Sequence, residues 1–433
     1  MTRILLIAIR SLFKQRRRTM LLGGAIISVT ALLVLLGSVG NGIRHTMLNA
    51  GSAMITGHVN VGGFYKITAG QAIPAIVKRD QLLKDVKEIV PEAKQVLDRR
   101  RGWGKVVSES DTVMSALVGI DARDEHELAA VISIVEGDFA DLSVGMKIML
   151  FQKQAERLGV KVGDQVTLSA PIMKGQRNSV DVEVAAIAKD MGLISIMSSY
   201  VTKPCIAELY QMAQDTTGVV FIYLDDPYDS EDIEANVRAG LLQKDYRIMD
   251  RQEGAFYRKF EQVQGEDWTG QKLDLTTWED ELAGIQWTMK TFDTVTTLLI
   301  GILLVIIIVG VMNTTWISVR DRTREIGTLR AIGMGQFKIL MMFVMEMAIL
   351  TGVASVVGVF LGFGLTAFLN ALNIPVSQGF QIFLMSETLR MVVEPSSAIT
   401  AVIVIPLLTT LGAMFPALHA ARMRPVTAMH HVG

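Results

Sequence analysis

The stretch Arg320-Asp-Arg-Thr-Arg-Glu-Ile-Gly-Thr-Leu-Arg-Ala-Ile-Gly-Met334 separates two long apolar runs, residues 298–317 and 339–363. The hydrocarbon core of a bilayer needs about 20 apolar residues in a helix, and both runs reach that length. Residues 20–39 and 397–415 form two more such runs. Glu346 is the single charge within the third, and Pro406 lies inside the fourth. Pro is tolerated in a membrane helix when its surroundings satisfy the freed carbonyl. The composition agrees with four spans: half of the 433 residues are apolar and only 20% are charged. A soluble chain of this size has to cover its surface with polar groups and rarely shows that balance.

Lys and Arg near the span ends set the expected orientation. Lys14, Arg16, Arg17 and Arg18 precede the first span, while Arg320, Arg322, Arg324 and Arg330 lie between the second and third. Arg422 and Arg424 follow the fourth, and the connection between the third and fourth carries only Arg390. Four crossings bring the three basic clusters to one side, so both termini are expected in the cytoplasm and residues 41–291 outside. The first run exceeds the 7–15 apolar residues of a cleaved signal and reads as an anchor.

The quoted stretch itself reads as a short helix along the membrane surface. Ile326, Leu329 and Ile332 are spaced to share a face. Asp321 with Arg324, and Arg322 with Glu325, are opposite charges three apart, each pair contributing a few tenths of a kcal/mol at about 0.2–0.5. Gly333 and Gly335 suit a helix end and a turn into the third span. A plain positive-inside loop explains the arginines but not this amphipathic order.

Outside, the sequence predicts an α+β domain with enough residues for its own core. Val180, Val182, Val184 and Ala186 alternate with Asp181 and Glu183, a half-buried strand. Residues 112–120 and 218–224 read as two more strands. Leu82, Leu83, Val86, Ile89 and Val90 recur at helical spacing behind Asp80 as N-cap, and Ile233, Val237 and Leu241 do so behind Ser230. Both ends of the domain read as helical stalks continuous with the spans: residues 42–54 after the first, and residues 278–297 before the second, with Leu282, Ile285, Met289 and Phe292 on one face.

Little in the chain points to chemistry. The net charge of −1 gives no basic character suited to nucleic acid. The six histidines show no metal-ligand spacing, His430 and His431 being adjacent at the tail. Cys205, the single cysteine, excludes an intramolecular disulfide framework and reads as a packed small residue. No GxSxG elbow and no phosphate-binding GxxxxGK[ST] loop occurs, so no catalytic residue, metal ligand or bound cofactor is expected, and any ATP would be hydrolysed by another chain.

The Glu325-Ile-Gly-x-Leu-Arg-Ala-Ile-Gly333 pattern resembles the cytoplasmic coupling segment of permeases of the MacB/FtsX superfamily. The tail Phe415-Pro-Ala-x-x-Ala-Ala-Arg-x-x-Pro-Val426, with Pro416, Ala417, Arg422 and Pro425, is similar to the family's end of the last span. Glu136-Gly-Asp-Phe139, Leu158-Gly-Val-Lys-Val-Gly-Asp164 and Gly57-His58-Val59 resemble its periplasmic core domain. A separate permease of this length with a large outside domain, and Thr277-Trp278 before the second span, most resembles the lipoprotein-releasing LolC/LolE type. The form of the coupling segment is at least as typical of exporter-like members.

The resemblance implies a membrane α-helical fold of four transmembrane helices, with a large α+β periplasmic domain inserted between the first and second. Its parts are a cytoplasmic segment (1–19), first span (20–40), periplasmic core domain with stalks (41–291), second span (292–319), coupling helix (320–338), third span (339–369), periplasmic loop (370–396), fourth span (397–415) and cytoplasmic tail (416–433). It further implies a permease subunit of an ATP-binding-cassette transporter in the bacterial inner membrane, working by mechanotransmission. The leading reading is extraction of lipoproteins for delivery to the outer membrane. The alternatives are a MacB-like exporter of hydrophobic small molecules or peptides, and an FtsX-like signal transducer. Implied partners are an ATPase dimer using ATP and Mg2+, a second permease copy or paralogue, a periplasmic lipoprotein carrier or adaptor, and membrane lipid. The ATPase-coupling residues would be Arg324, Glu325, Ile326, Gly327, Leu329, Arg330, Ala331 and Gly333. A lipid-anchored substrate would enter near Val29, Leu32 and Leu36 of the first span and Leu298, Ile302 and Val305 of the second. Glu346, the single intramembrane charge, reads as a contact of the coupling helix or a snorkelling side chain rather than part of a substrate path.

Overall fold

The computed structural model describes residues 2–68, 71–171, 176–252 and 254–423. Among them, four helices are long and apolar enough to cross a membrane: Arg16–Met54, Ala283–Asp321, Gln336–Ala371 and Pro395–Arg422. The chain forms two compact units. One comprises Met1–His45, Met289–Pro375 and Thr388–Gly433, the other Thr46–Thr288 and Val376–Glu387.

The first unit is a helical bundle. Leu22, Ile26, Leu33, Ile307, Val311, Met347, Ala354, Ile405 and Ala413 are buried together at its centre. Lipid gives no hydrophobic drive for helices to associate, so close backbone approach through small residues has to supply it. Gly358 and Gly362, one turn apart on the third span, meet the first span at Thr30 and Val34; a Cβ on Gly358 would sit 2.8 Å from the carbonyl oxygen of Ile27. Several hydroxyls buried in the bundle are satisfied within their own helices. Those of Thr30, Thr315, Thr351 and Thr409 each donate to the carbonyl four residues back, at 2.7–2.9 Å. Pro406 and Pro416 both lie inside the fourth helix, which continues past Phe415 to Arg422.

An additional helix, Thr2–Lys14, precedes the first span, where the sequence reading placed only a cytoplasmic segment. Ala8 and Ser11 are buried while Arg10 and Lys14 are exposed. That three-residue spacing of small inward residues, with basic residues on the opposite side, was the available signal.

The second unit is built on a mixed sheet. Its strand order runs Gly270–Thr277, Val59–Thr68, Val219–Tyr223, Gln95–Val107, Thr112–Ile120, Ser198–Thr202, Lys147–Phe151, Arg177–Ala188 and Ile134–Gly137. The long strand Gln95–Val107 belongs to both halves: Gln95 to Arg99 pair with Val219–Tyr223, and Arg100 to Val107 with Thr112–Ile120. Helices Arg79–Ile89 and Ser230–Gln243 cover the first half around Val61, Leu82, Val86, Val220, Val237 and Leu241. The second half has its own core, including Leu117, Ile148, Val182, Val201 and Cys205. Val180, Val182 and Val184 are buried while Asp181 and Glu183 are exposed, as their alternation predicts. Cys205 is buried, its sulfur 3.0 Å from the Thr202 hydroxyl.

Two local expectations are corrected. Asp80 lies in the first turn of its helix, and the N-cap is Lys78 in the left-handed conformation at φ 57°. The second stalk is not continuous from Trp278. A separate turn, Trp278–Glu281, is capped by Thr277 and Asp280, and the long helix starts at Ala283. The capping box satisfies the amides that open this turn and ends the strand there. The first stalk runs unbroken to Met54 as expected.

Candidate coupling site

The expected amphipathic helix is Thr323–Ala331. It follows Arg322, where the second span ends, and precedes a turn in which Gly333 takes φ +98°, a conformation that disfavours any side chain. Gly335 is the N-cap of the third span. The glycines thus take the roles their spacing predicts.

The faces differ in part from expectation. Ile326 is buried and packs with Val319, Ile339, Phe343, Ala417, Ala420 and Ala421, and Gly327 beside it is buried. Leu329 and Arg330 are half-buried. Ile332, expected on the Ile326 face, is 80% exposed. Ile332 keeps the helical bond from its amide to the Thr328 carbonyl at 3.0 Å, but six residues at 3.6 per turn place it about 120° round from Ile326, away from the buried face. Phe337 is exposed nearby in sequence, and Arg324, Glu325, Thr328, Ala331 and Gly333 also face outward.

What holds the helix in place was only partly legible in the sequence. Arg322 makes the predicted approach to Glu325, at 3.8 Å, but its principal partner is Glu346 at 2.9 Å. The Glu346 carboxylate also accepts from the Ser11 hydroxyl at 2.9 Å, and Arg322 donates to the same hydroxyl. All three side chains are buried. Glu346 therefore joins the third span, the start of the coupling helix and the N-terminal helix. Arg18 donates to the Ser318 hydroxyl, Lys14 reaches Glu325 at 3.3 Å, and Arg330 donates to the Ala421 carbonyl at 2.9 Å. Trp316 packs on His419 with ring centroids 5.0 Å apart. The small residues Ala417, Ala420 and Ala421 let the fourth helix approach closely here, which accounts physically for the Pro-Ala and Ala-Ala part of the tail pattern. Arg424, Pro425, Val426, His430 and His431 lie outside the described residues.

These contacts bring the residues before the first span, the connection between the second and third, and the end of the fourth to one end of the bundle. At the other end, Arg44 pairs with Asp293 at 2.6 Å, and the Val392 amide donates to the Ser38 carbonyl at 3.0 Å.

The six substrate-entry candidates do not form one surface. Val29 is half-buried against the bundle core, and Leu36 is half-buried as well. Leu32 is exposed, and Leu298, Ile302 and Val305 present an outward apolar stripe at 59%, 48% and 60% exposure. Among the described residues, no three His, Cys, Asp or Glu side chains gather as a metal set.

Comparison with known proteins gives the site its context. Residues 19–239, about half of the chain, match the MacB-like periplasmic core domain family, and residues 297–425 match the FtsX-like permease C-terminal family. The macrolide export ATP-binding/permease protein MacB of Hahella chejuensis is 32% identical over 143 residues, covering 32% of this chain and 20% of that protein. The matched part is thus about a fifth of the exporter's length. The ABC transporter permease YtrF of Bacillus subtilis is 25% identical over 451 aligned residues, 97% of each chain. Among solved structures, the extracellular domain of the noncanonic ABC-type transporter YknZ from Gram-positive bacteria aligns with 49% of this chain and 98% of its own, at 14% identity and a TM-score of 0.29. The chain belongs to the MacB/FtsX superfamily of ABC transporter permeases.

Proposed function

We propose that this chain is the membrane subunit of an exporter driven by a separate ATPase dimer, and that the helix Thr323–Ala331 is where the ATPase acts. The observation that carries this reading is the helix's two-sided attachment. Ile326 and Gly327 are buried in the bundle while Arg324, Glu325, Ala331 and Gly333 face outward, and Leu329 and Arg330 lie between. A push on the outward side reaches the third span through Arg322 and Glu346, and the fourth through Arg330 and Ala421. The three basic clusters gathered at this end favour a cytoplasmic location for it and for both termini under the positive-inside tendency, with the sheet domain on the far side of the inner membrane. ATP and Mg2+ would be used by the ATPase, and a second permease copy or paralogue would complete the pair.

The relatives favour export of hydrophobic small molecules or peptides over the lipoprotein release that the sequence reading placed first. They are named as macrolide exporters and as an ABC permease. The outward stripe of Leu298, Ile302 and Val305 suits an apolar substrate or lipid in either case. The test is ATP-driven accumulation of a radiolabelled macrolide in inverted vesicles carrying the permease and its co-expressed ATPase. Accumulation that disappears in the Glu325→Ala, Leu329→Ala double variant, with insertion intact, supports the reading. Accumulation unaffected by the double variant rejects the coupling assignment. ATP-dependent release of a lipid-anchored protein, without macrolide uptake, restores the lipoprotein reading.

A further inference from the structure

The first-span helix ends at Met54 inside the second unit, and its end is held in an unusual way. The last carbonyls of a helix have no partner within it. Here Ser52 accepts from the Tyr223 hydroxyl at 3.3 Å, Ala53 from Arg99 Nη2 at 2.7 Å, and Met54 from Arg99 Nη1 at 3.3 Å and the Tyr200 hydroxyl at 3.0 Å. The three donors come from three strands: Gln95–Val107, Ser198–Thr202 and Val219–Tyr223. Arg99 is 1% exposed. It is paired in bidentate fashion with the equally buried Glu125, at 2.8 Å through Nε and 2.6 Å through Nη2, and stacks on Phe221 at 5.0 Å.

The arrangement is chemically specific. A guanidinium offers five donors in a fixed fork, so one side chain can cap two carbonyls and still engage a carboxylate. Its positive charge also lies at the negative end of the helix dipole. Burial pushes the Tyr200 and Tyr223 hydroxyls up, so both remain protonated donors. A buried pair of this kind is a poor device for stability alone, because apolar residues of similar volume commonly serve as well or better. Its directional bonds, however, fix how the helix end is oriented.

The second stalk is rooted beside it. The strand that follows the first stalk pairs with the strand that precedes the second, Val59 opposite Thr277, and the Trp278 amide donates to the His58 carbonyl at 2.9 Å. Both helices therefore reach the sheet through one antiparallel ladder.

We propose that Arg99 is the positioning residue of a socket, made with Glu125, Tyr200 and Tyr223, through which movement of the first-span helix is delivered to the outer sheet. This rests on the exporter reading above, in which such movement is driven by ATP. Without the socket, the helix end keeps the apolar packing of Ala50 and Met54 against Ile120, Met149 and Phe151 and the short link through residues 55–58, but loses the directional bonds that fix its orientation.

The test uses the full-length permease co-purified with its ATPase in lipid nanodiscs, comparing wild type with Arg99→Met, Glu125→Leu, an apolar pair that leaves no orphaned charge. A fluorophore on Tyr257→Cys, an exposed position of the sheet unit, reports ATP-driven movement, and hydrogen exchange reports local order. The expected result is at least tenfold faster exchange at the amides of residues 50–55, unchanged exchange in strand Thr112–Ile120, and a fluorescence response to ATP reduced at least tenfold. Unchanged exchange at residues 50–55 overturns the proposal. Faster exchange throughout the sheet overturns it too, since that is the mark of a merely structural pair. A full ATP response in the apolar variant, with the response lost in the Glu325→Ala, Leu329→Ala variant, overturns the socket and leaves the exporter reading standing. No ATP response in wild type overturns the exporter reading and the socket with it.

Discussion

Replacing Glu346 by Ala tests whether the coupling helix is fixed to the bundle by a buried charge pair. Arg322 is 7% exposed and Glu346 3%, so removing the carboxylate leaves a guanidinium buried with the Ser11 hydroxyl as its close partner. Glu325 lies at 3.8 Å, but its side chain is 59% exposed, and exposed pairs contribute about 0–1 kcal/mol. Breaking a buried pair from one side costs about 3–5 kcal/mol; with Ser11 retained, the lower end, about 3 kcal/mol, is expected for Glu346→Ala. Replacing both partners, Arg322→Met with Glu346→Leu, removes both charges together and should recover most of that loss. With Arg322→Met and Glu346→Leu as the two singles of that double variant, the cycle should give a coupling energy of about 2 kcal/mol or more, within the range for residues in direct contact. The assay is reversible unfolding of the permease by SDS titration in mixed micelles, with single and double variants in parallel. A Glu346→Ala loss under about 1 kcal/mol, or a double variant as unstable as the sum of the singles, refutes the reasoning about this pair.

Three further outcomes are expected. Gly358→Val should destabilise the bundle by about 1–3 kcal/mol, as overpacking does, because a Cβ there falls 2.6 Å from that of Thr30; Gly364→Ala, which meets nothing within 4 Å, should be nearly neutral in the same titration. Burial pushes the His58 pKa down to about 4, and its Nδ1 accepts the Leu224 amide at 2.9 Å. Its stabilising contribution should therefore be complete above about pH 6.5 and be lost as pH falls towards 4, by up to about 3 kcal/mol; His58→Gln should flatten thermal stability across that window. Asp274 acts with the opposite sign. Burial, partly offset by Lys259, raises it to about 6, so its contribution is fully present below about pH 4 and is lost as pH rises through 6. Asp274→Asn should make the loss of melting temperature on acidification from pH 7 to 4 steeper; a shallower loss would contradict the assignment.

Much of the architecture was legible because its signals are local. The apolar runs, the charge asymmetry of the connections and the alternation at Val180 to Val184 each depend on neighbours within a turn or two. The strand at Thr112–Ile120 and the helix behind Ser230 were found on the same grounds. Gly333 after the coupling helix was legible because its positive φ leaves few alternatives to Gly. The misses came where tertiary contacts outweighed local pattern. Asp80 is a good N-cap residue by type, yet the cap fell on Lys78, because the strand Ile76–Val77 pairs with Thr216–Thr217 and the chain turns immediately after it. Val29, read as part of an apolar entrance, is half-buried against the bundle core, while Leu298, Ile302 and Val305 are exposed. Hydropathy cannot tell these apart, since lipid and protein interior are equally apolar.

By itself, the sequence determined that this chain has four apolar helices, a mixed α+β domain between the first and second, and an amphipathic helix between the second and third. Each of these follows from periodicity and length, which residues carry in their order. Only the tertiary structure decided what Glu346 and Arg99 do. Ser11 meets Glu346 across 335 positions, and Arg99 meets the end of the first span across 46. A buried charge is stable only where distant residues supply its partners, and no local pattern records which residues those are.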